Sequence, residues 1–275
     1  MKSVSPDGSL YVIVPVFNEA DNLATLFRSF VSMAREFATD YYVKFILVDD
    51  GSIDGTANLA QRLAGKLDFT LLTHRINQGP GRAFATAFEH LSQLLEENDF
   101  VVTMEGDNTS RLELLRQMLT RTLEGYDVIL ASPYMYGGGI RNTTPLRVML
   151  SHVANAFLKE FIDIHGIHTM SSFFRLYRSS VIRRLQAYYG PGILERAGFE
   201  SMIELLLKMI YLQTTISEVP MVLDTSLRKG PSKMKIVATI RGYIALWRDK
   251  KRWCRVSKKE KRAFPTMVYR PSKSL

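Results

Sequence analysis

Five short apolar, β-rich runs recur through the first half of the chain, each separated from the next by a segment of helical periodicity. They are YVIVPVF (residues 11–17), VKFILVDD (43–50), DFTLLTH (68–74), DFVVTME (99–105) and YDVILAS (126–132). Their apolar residues are continuous rather than alternating, which predicts strands covered on both faces. Between them, residues 19–36, 55–66, 82–96 and 112–123 place apolar side chains three and four apart, as at Leu23, Leu26, Phe27, Phe30 and Val31. This order predicts an α/β fold with a mostly parallel sheet flanked by helices. Ligands of such sheets bind beyond the carboxyl ends of the strands, so the residues that follow each run are where chemistry is expected.

After Ser132 the pattern loosens. A glycine turn, YGGG (136–139), precedes helical stretches at about 146–162 and 200–209, with HTMSSFFRLYRSS between them. This half reads as additions around the mouth of the site. A last amphipathic stretch puts Ile236, Val237, Ile240, Tyr243, Ile244 and Trp247 on one helical face, and the basic run KKRWCRVSKKEKR follows it. The expected organisation is a domain over 1–235, divided near residue 132, and an amphipathic helix with a basic tail over 236–275.

Charge follows that division. The net charge is +9, yet from Arg241 onward twelve Lys and Arg stand against Asp249 and Glu260, so the preceding 240 residues are close to neutral. Basic tails attract the phosphates of nucleic acids or of anionic membranes. No nucleic-acid module and no interleaved aromatic platform accompanies this tail, so a nucleic-acid partner is not expected. The single cysteine, Cys254, excludes an intrachain disulfide or a cysteine metal cluster and fits a reducing compartment. The start, MKSVSPDGSL, lacks the pattern of a signal peptide, and the most apolar helical stretch, IELLLKMIYL from Ile203, is too short to span a bilayer and contains Lys208. A cytoplasmic location is expected.

The strand ends carry the polar motifs. The first ends in PVFNE (residues 15–19), and the second in VDDGS (48–52) with DGT (54–56) behind it. Singly, each is equally a turn or a helix cap. Two adjacent carboxylates at the end of an apolar strand are harder to explain so, because burial makes unpaired carboxylates costly and calls for donors, cations or a ligand. The fourth strand delivers Glu105 and Asp107 across Gly106. That pair is either a turn opening the next helix, with Ser110 as cap, or two oxygen ligands for a hard cation such as Mg²⁺ or Mn²⁺.

PVFNE, ILVDDGSIDGT, NQGPGRA, the acidic-x-acidic triplet, YGGG, SFFRLYR and EVPMVLDTSLRKGPSKMK occur in this order and at these spacings. Together they resemble the family 2 glycosyltransferases of the GT-A (Rossmann-like) fold, and within them the dolichyl- and polyprenyl-phosphate sugar synthases. The resemblance covers about residues 11–235. It implies a nucleotide-sugar half over 1–132 and an acceptor half over 133–235. It also implies an inverting, metal-dependent transfer of a hexose, GDP-mannose favoured as donor, to a lipid phosphate at the cytoplasmic membrane face. Alternatives are transfer to a saccharide hydroxyl in cell-surface polysaccharide assembly and a nucleotide-sugar-binding protein without turnover. Pro15, Phe17, Glu19, Val48 and Asp50 are implied to line the nucleotide. Glu105, Gly106 and Asp107 match the metal triplet, Asp107 the residue that holds the ion, while Arg228 and Lys233 match the pair that clamps donor diphosphate and acceptor phosphate.

Three positions depart from the family pattern. Glu105 stands where Asp is usual, Thr169 where DxTSGFR has its Asp, and Pro133 where related synthases often carry an Arg. A phosphate acceptor is already anionic and needs cations rather than a base. Arg141, Arg147, Arg175, Arg178, His165 and His168 are candidates for that role, Arg175 first because it lies in the matched segment. Glu204, or less favourably Glu200, is the base expected if the acceptor is a hydroxyl. Trp247 and Trp253, with the Lys and Arg around them, suit an anionic membrane surface, a role set against packing of the same helix on the protein itself. The sequence leaves room for a membrane partner subunit.

Overall fold

The apolar runs form strands β1 (Ser9–Val16), β2 (Tyr42–Asp49), β3 (Asp68–Thr73), β4 (Phe100–Thr103) and β5 (Val128–Ser132). The second half adds β6 (Gly139–Arg141), β7 (Arg175–Arg178), β8 (Ile216–Pro220) and β9 (Val222–Asp224). The computed structural model describes residues 6, 8–162, 164, 166–230 and 236–261. Seven strands make one sheet in the order β3-β2-β1-β4-β7-β5-β8, and β6 and β9 pair separately. β1 lies parallel to β2 and β4, with Ile13 opposite Ile46 and Thr103. β7 alone runs antiparallel, between β4 and β5. The carboxyl ends of the parallel strands therefore share one edge. The second half does more than surround that edge, because it inserts β7 and β8 into the sheet.

The helices are α1 (Ala20–Glu36), α2 (Thr56–Ala64), α3 (Pro80–Leu91), α4 (Leu115–Leu123), α5 (Pro145–Ile162), α6 (Ser179–Tyr189), α7 (Ser201–Tyr211) and α8 (Ile236–Lys261). Side chains alternate across a strand, so β1 feeds two cores. Leu10, Val12, Val14 and Val16 pack with Leu23, Phe27 and Phe30 of α1 and Met118 of α4. Tyr11 and Ile13 face the other way, toward a core that includes Phe84 and Phe88 of α3, Leu205 of α7 and Trp253 of α8.

The expected amphipathic stretch from Ile236 and the basic run as far as Lys261 are one helix, α8, and it turns two different faces outward and inward; residues 262–275 of the expected tail lie outside the described residues. Leu246 is fully buried and Trp253 is 1% exposed, whereas Ile244 and Trp247 are 58% and 49% exposed. This corrects the expectation that Trp253 sits in a membrane interface. Its indole N–H donates to Glu195 Oε1 at 2.9 Å, and the ammonium of Lys208 lies 4.8 Å from its ring centre.

Candidate active site

The loops after β1 and β2 are laced together by the short polar side chains of their motifs. Asn18 turns the chain at φ 50°, its N–H donates to Ser52 Oγ at 2.8 Å, and its Oδ1 accepts from Ile53 N at 2.9 Å. Glu19 N donates to Thr56 Oγ1 at 2.9 Å, and Ala20 N to Asp54 Oδ2 at 3.1 Å. PVFNE and DGSIDGT are thus two halves of one hydrogen-bonded ledge at the sheet edge, and Pro15, Phe17 and Glu19 are partly exposed on it. Val48 is completely buried inside β2, beneath that ledge rather than on it. Asp50 is also buried, and its carboxylate is partnered: Oδ1 pairs with His74 Nδ1 at 2.6 Å and accepts from Gln78 N at 2.9 Å, while Oδ2 accepts from Gly79 N at 2.7 Å. It anchors the loop that opens α3.

Glu105, Gly106 and Asp107 leave β4 beside the same ledge. A side chain at Gly106 has no room: an ideal Cβ would lie 2.7 Å from the Val16 side chain and 3.2 Å from Pro15 O. The missing Cβ is what lets the triplet press against the end of β1. Asp107 Oδ1 accepts from Thr109 N at 3.1 Å and Thr109 Oγ1 at 2.6 Å, and its Oδ2 is paired with Arg228 Nε. Glu105 accepts from Ser110 Oγ at 2.8 Å. Burial, and next the Asp107 charge, push the Glu105 carboxyl up to about 7 against Ser110 and Arg228. A carboxyl pushed up by a second carboxylate across one glycine suits a divalent cation. Among the described residues no group of three or more His, Cys, Asp or Glu could hold a metal. An ion at this pair would therefore complete its shell with ligand oxygens and water, as Mg²⁺ does with phosphates.

Asn22, which sequence reasoning passed over, joins these parts. It is 1% exposed, its Nδ2 donates to Glu19 Oε2 and to Lys229 O at 3.2 Å, and its Oδ1 accepts from Lys229 N at 3.1 Å. Asn108 Nδ2 donates to Asn22 O at 3.2 Å. The signal was its spacing: Asn22 falls on the buried stripe of α1 with Leu23, Leu26 and Phe30.

The acceptor-side candidates divide. Arg175 has no exposed surface, and its guanidinium donates to the carbonyls of Ser172 at 2.7 Å, Met202 at 2.9 Å and Met170 at 2.8 Å. It is a buried fastener under the site, within electrostatic range of Glu105 and Glu218, and not the phosphate ligand expected. Arg178 likewise donates to the carbonyls of Tyr126 and Thr122. Glu204 is completely buried; it accepts from Glu195 N and Arg196 N, both at 2.8 Å, and from Lys208 Nζ at 2.5 Å. Burial raises its carboxyl against the pull of Lys208, and a base for an incoming hydroxyl is not available there. Glu200 is buried at the start of α7 against Gly198 and Gly242. His168 is exposed, with Nδ1 held at 2.7 Å by Glu218, which also accepts from Thr169 N at 2.8 Å. Arg141 is exposed on β6, beside β9, the strand that leads to Arg228. Lys233, His165 and the side chain of Arg147 lie outside the described residues.

Known proteins share this fold. The model of glycosyl transferase family 2 matches residues 11–186. The polyprenol monophosphomannose synthase of Mycolicibacterium smegmatis is 30% identical over 234 residues, covering 84% of this chain and 83% of that protein. The dolichol-phosphate mannosyltransferase of Pyrococcus furiosus is 28% identical over 228 residues, covering 82% of this chain and 58% of that longer protein. Among solved structures, glucosyl-3-phosphoglycerate synthase from Mycobacterium tuberculosis, determined with Mn²⁺, UDP and phosphoglyceric acid, superposes with a TM-score of 0.58 at 15% identity, covering 90% of this chain and 78% of that one. A mannosyltransferase from Pyrobaculum calidifontis, in complex with GDP-Man and Mn²⁺, gives 0.51 at 16% identity over 96% and 77%. The structural likenesses show the shared GT-A fold, and with the family model covering most of the sheet, the chain belongs to glycosyl transferase family 2.

Proposed function

We propose that this chain is an inverting transferase that moves a hexose from a nucleotide sugar, GDP-mannose first among donors, to the phosphate of a polyprenyl or dolichyl lipid at the cytoplasmic face of a membrane. The observation that carries the reading is the meeting of Asp107 and Arg228, 121 residues apart in sequence, at the sheet edge beside Glu19 and Glu105. A carboxylate pair and a guanidinium converging on one point suit a diphosphate with its counter-ion. The names of the curated relatives support mannose as the sugar and a polyprenyl phosphate as acceptor.

Glu105 and Asp107 would hold Mg²⁺ or Mn²⁺, which supplies charge neutralisation to the departing diphosphate. The Pro15–Glu19 ledge seats the nucleotide, and Arg228, with Lys233 by resemblance, holds its phosphates. An acceptor phosphate oxygen attacks the anomeric carbon on the face opposite the nucleotide. A carbon–oxygen bond forms as the bond to the nucleotide diphosphate breaks, and no proton has to move. Transfer to a hydroxyl would need a base, and the burial of Glu204 against Lys208 speaks for the phosphate acceptor.

The outward face of α8 supports a membrane location. Arg241, Ile244, Trp247, Arg248 and Lys251 are all exposed, and each is three or four residues from another of the set, an apolar strip edged with cations. None of the described helices is long and apolar enough to cross a membrane.

The purified protein, incubated with Mn²⁺, undecaprenyl phosphate and radiolabelled GDP-mannose, UDP-glucose or UDP-N-acetylglucosamine in separate reactions, tests the reading. Label extracted with the lipid from GDP-mannose is the expected result; no labelled lipid from any donor contradicts it.

A further inference from the structure

The backbone of the Arg228 loop is tied to the nucleotide ledge by a single buried side chain. An Asn carboxamide has the donor–acceptor pattern of a peptide group, and Asn22 pairs with the Lys229 peptide unit in both directions, N–H to Oδ1 at 3.1 Å and Nδ2 to O at 3.2 Å. Lys229 and Gly230 are themselves exposed, so the tie holds a surface loop from beneath. The same Nδ2 donates to Glu19 Oε2, and the main-chain carbonyl of Asn22 accepts from Asn108, the residue after Asp107. One residue in the first turn of α1 thus touches the nucleotide ledge, the metal triplet's loop and the diphosphate loop.

We propose that Asn22 is a positioning residue that couples these three elements: it seats Arg228 over the donor diphosphate and makes that seat depend on Glu19 at the nucleotide end. The proposal rests on the reading of Arg228 as a diphosphate ligand. Asn22 acts through Arg228 and not on the donor, because it is buried under the loop and its carboxamide is satisfied by Glu19 and Lys229. A group acting through another gives losses that do not add.

The test is a double-mutant cycle on the full chain, read by calorimetric binding of GDP and of UDP, each with Mn²⁺. Asn22→Ala is expected to weaken nucleotide binding about tenfold, the scale of a lost outer-layer partner, and Arg228→Ala, which removes the diphosphate ligand itself, by about tenfold to hundredfold. The double variant is expected to be no weaker than the worse single one. Fully additive losses would overturn the proposal. Asn22→Asp gives a second readout: a neutral carboxylic acid again offers one donor and one acceptor to Lys229, so its binding relative to the parent is expected to recover as pH falls. A pH-independent ratio contradicts the pairing. If the parent binds neither nucleotide, the nucleotide-sugar reading fails by itself. Hydrogen exchange then decides the tie: the Lys229 amide is expected to exchange faster in Asn22→Ala while β1 and β2 amides do not change, and unchanged exchange at Lys229 sinks it.

Discussion

Arg228 and Asp107 form an ion pair at the mouth of the site, and Arg228 is the cation on which the phosphate end of the proposed mechanism depends. A hydrogen bond to a charged group contributes about 1.5–3 kcal/mol, roughly a tenfold to hundredfold change in an equilibrium. Arg228→Ala is therefore expected to lower kcat/KM for the donor by about that factor, with Arg228→Lys between it and the parent, because an ammonium keeps the charge but not the fork. Steady-state kinetics over a donor series checks this, and equal values for all three proteins contradict it. Glu105, Asp107 and Arg228 were named through the order and spacing of the family-like motifs; by residue type alone Glu105-Gly106-Asp107 read equally as a turn, and the structure brings Asp107 and Arg228 into contact. Arg175 was misplaced for a physical reason. Sequence places an arginine in the matched SFFRLYR segment but does not show that three carbonyls surround it. The burial of Asn22 was legible from its place on the apolar stripe of α1, but its role was not, since the Lys229 peptide it holds is 207 residues away.

At the scale of elements, α8 is the clearest case of one helix with two roles. Trp253 fills a core pocket over Lys208, so Trp253→Ala is expected to cost about 3–5 kcal/mol of stability in urea unfolding, as large-to-small core changes do. Trp247 is 49% exposed, so Trp247→Ala is expected to cost clearly less than Trp253→Ala in the same unfolding. It should instead reduce flotation with anionic liposomes, and undiminished flotation of Trp247→Ala combined with Ile244→Ala would remove the membrane role of this face. Cutting the chain after Ile236 would confound the two effects, because Leu246 and Trp253 would leave the core with the anchor. α3 offers a second test. Gly81 donates its N–H to Ala197 O at 2.7 Å, and an ideal Cβ there would lie 2.1 Å from Arg196 O. Gly81→Ala is expected to lower the melting temperature, by an overpacking cost of about 1–3 kcal/mol, and an unchanged Tm would show that the loop before α7 moves freely.

For the molecule as a whole, the first half was legible because its strands read as continuous apolar runs; β1, β4 and β5 are buried along nearly their whole length and β2 toward its end, whereas β3, at the sheet margin, is only partly buried. The second half was not, because β7 is only RLYR, two of whose four residues are arginines satisfied by carbonyls inside the fold. Periodicity sees such a strand as a polar loop, so the antiparallel insertion between β4 and β5 left no pattern to find. The departures at Thr169 and Glu105 surround the same buried guanidinium: Thr169 N donates to Glu218, and both Glu218 and Glu105 lie within electrostatic range of Arg175. On the proposed reading, the sheet edge is a metal–diphosphate site in which Asp107 is the principal carboxylate. The most direct measurement is Mn²⁺-dependent transfer of labelled sugar to undecaprenyl phosphate by Asp107→Ala beside the parent protein. A loss of at least about a hundredfold is predicted, the scale of removing a preorganised charge from a transition state; parental activity in that variant contradicts the account.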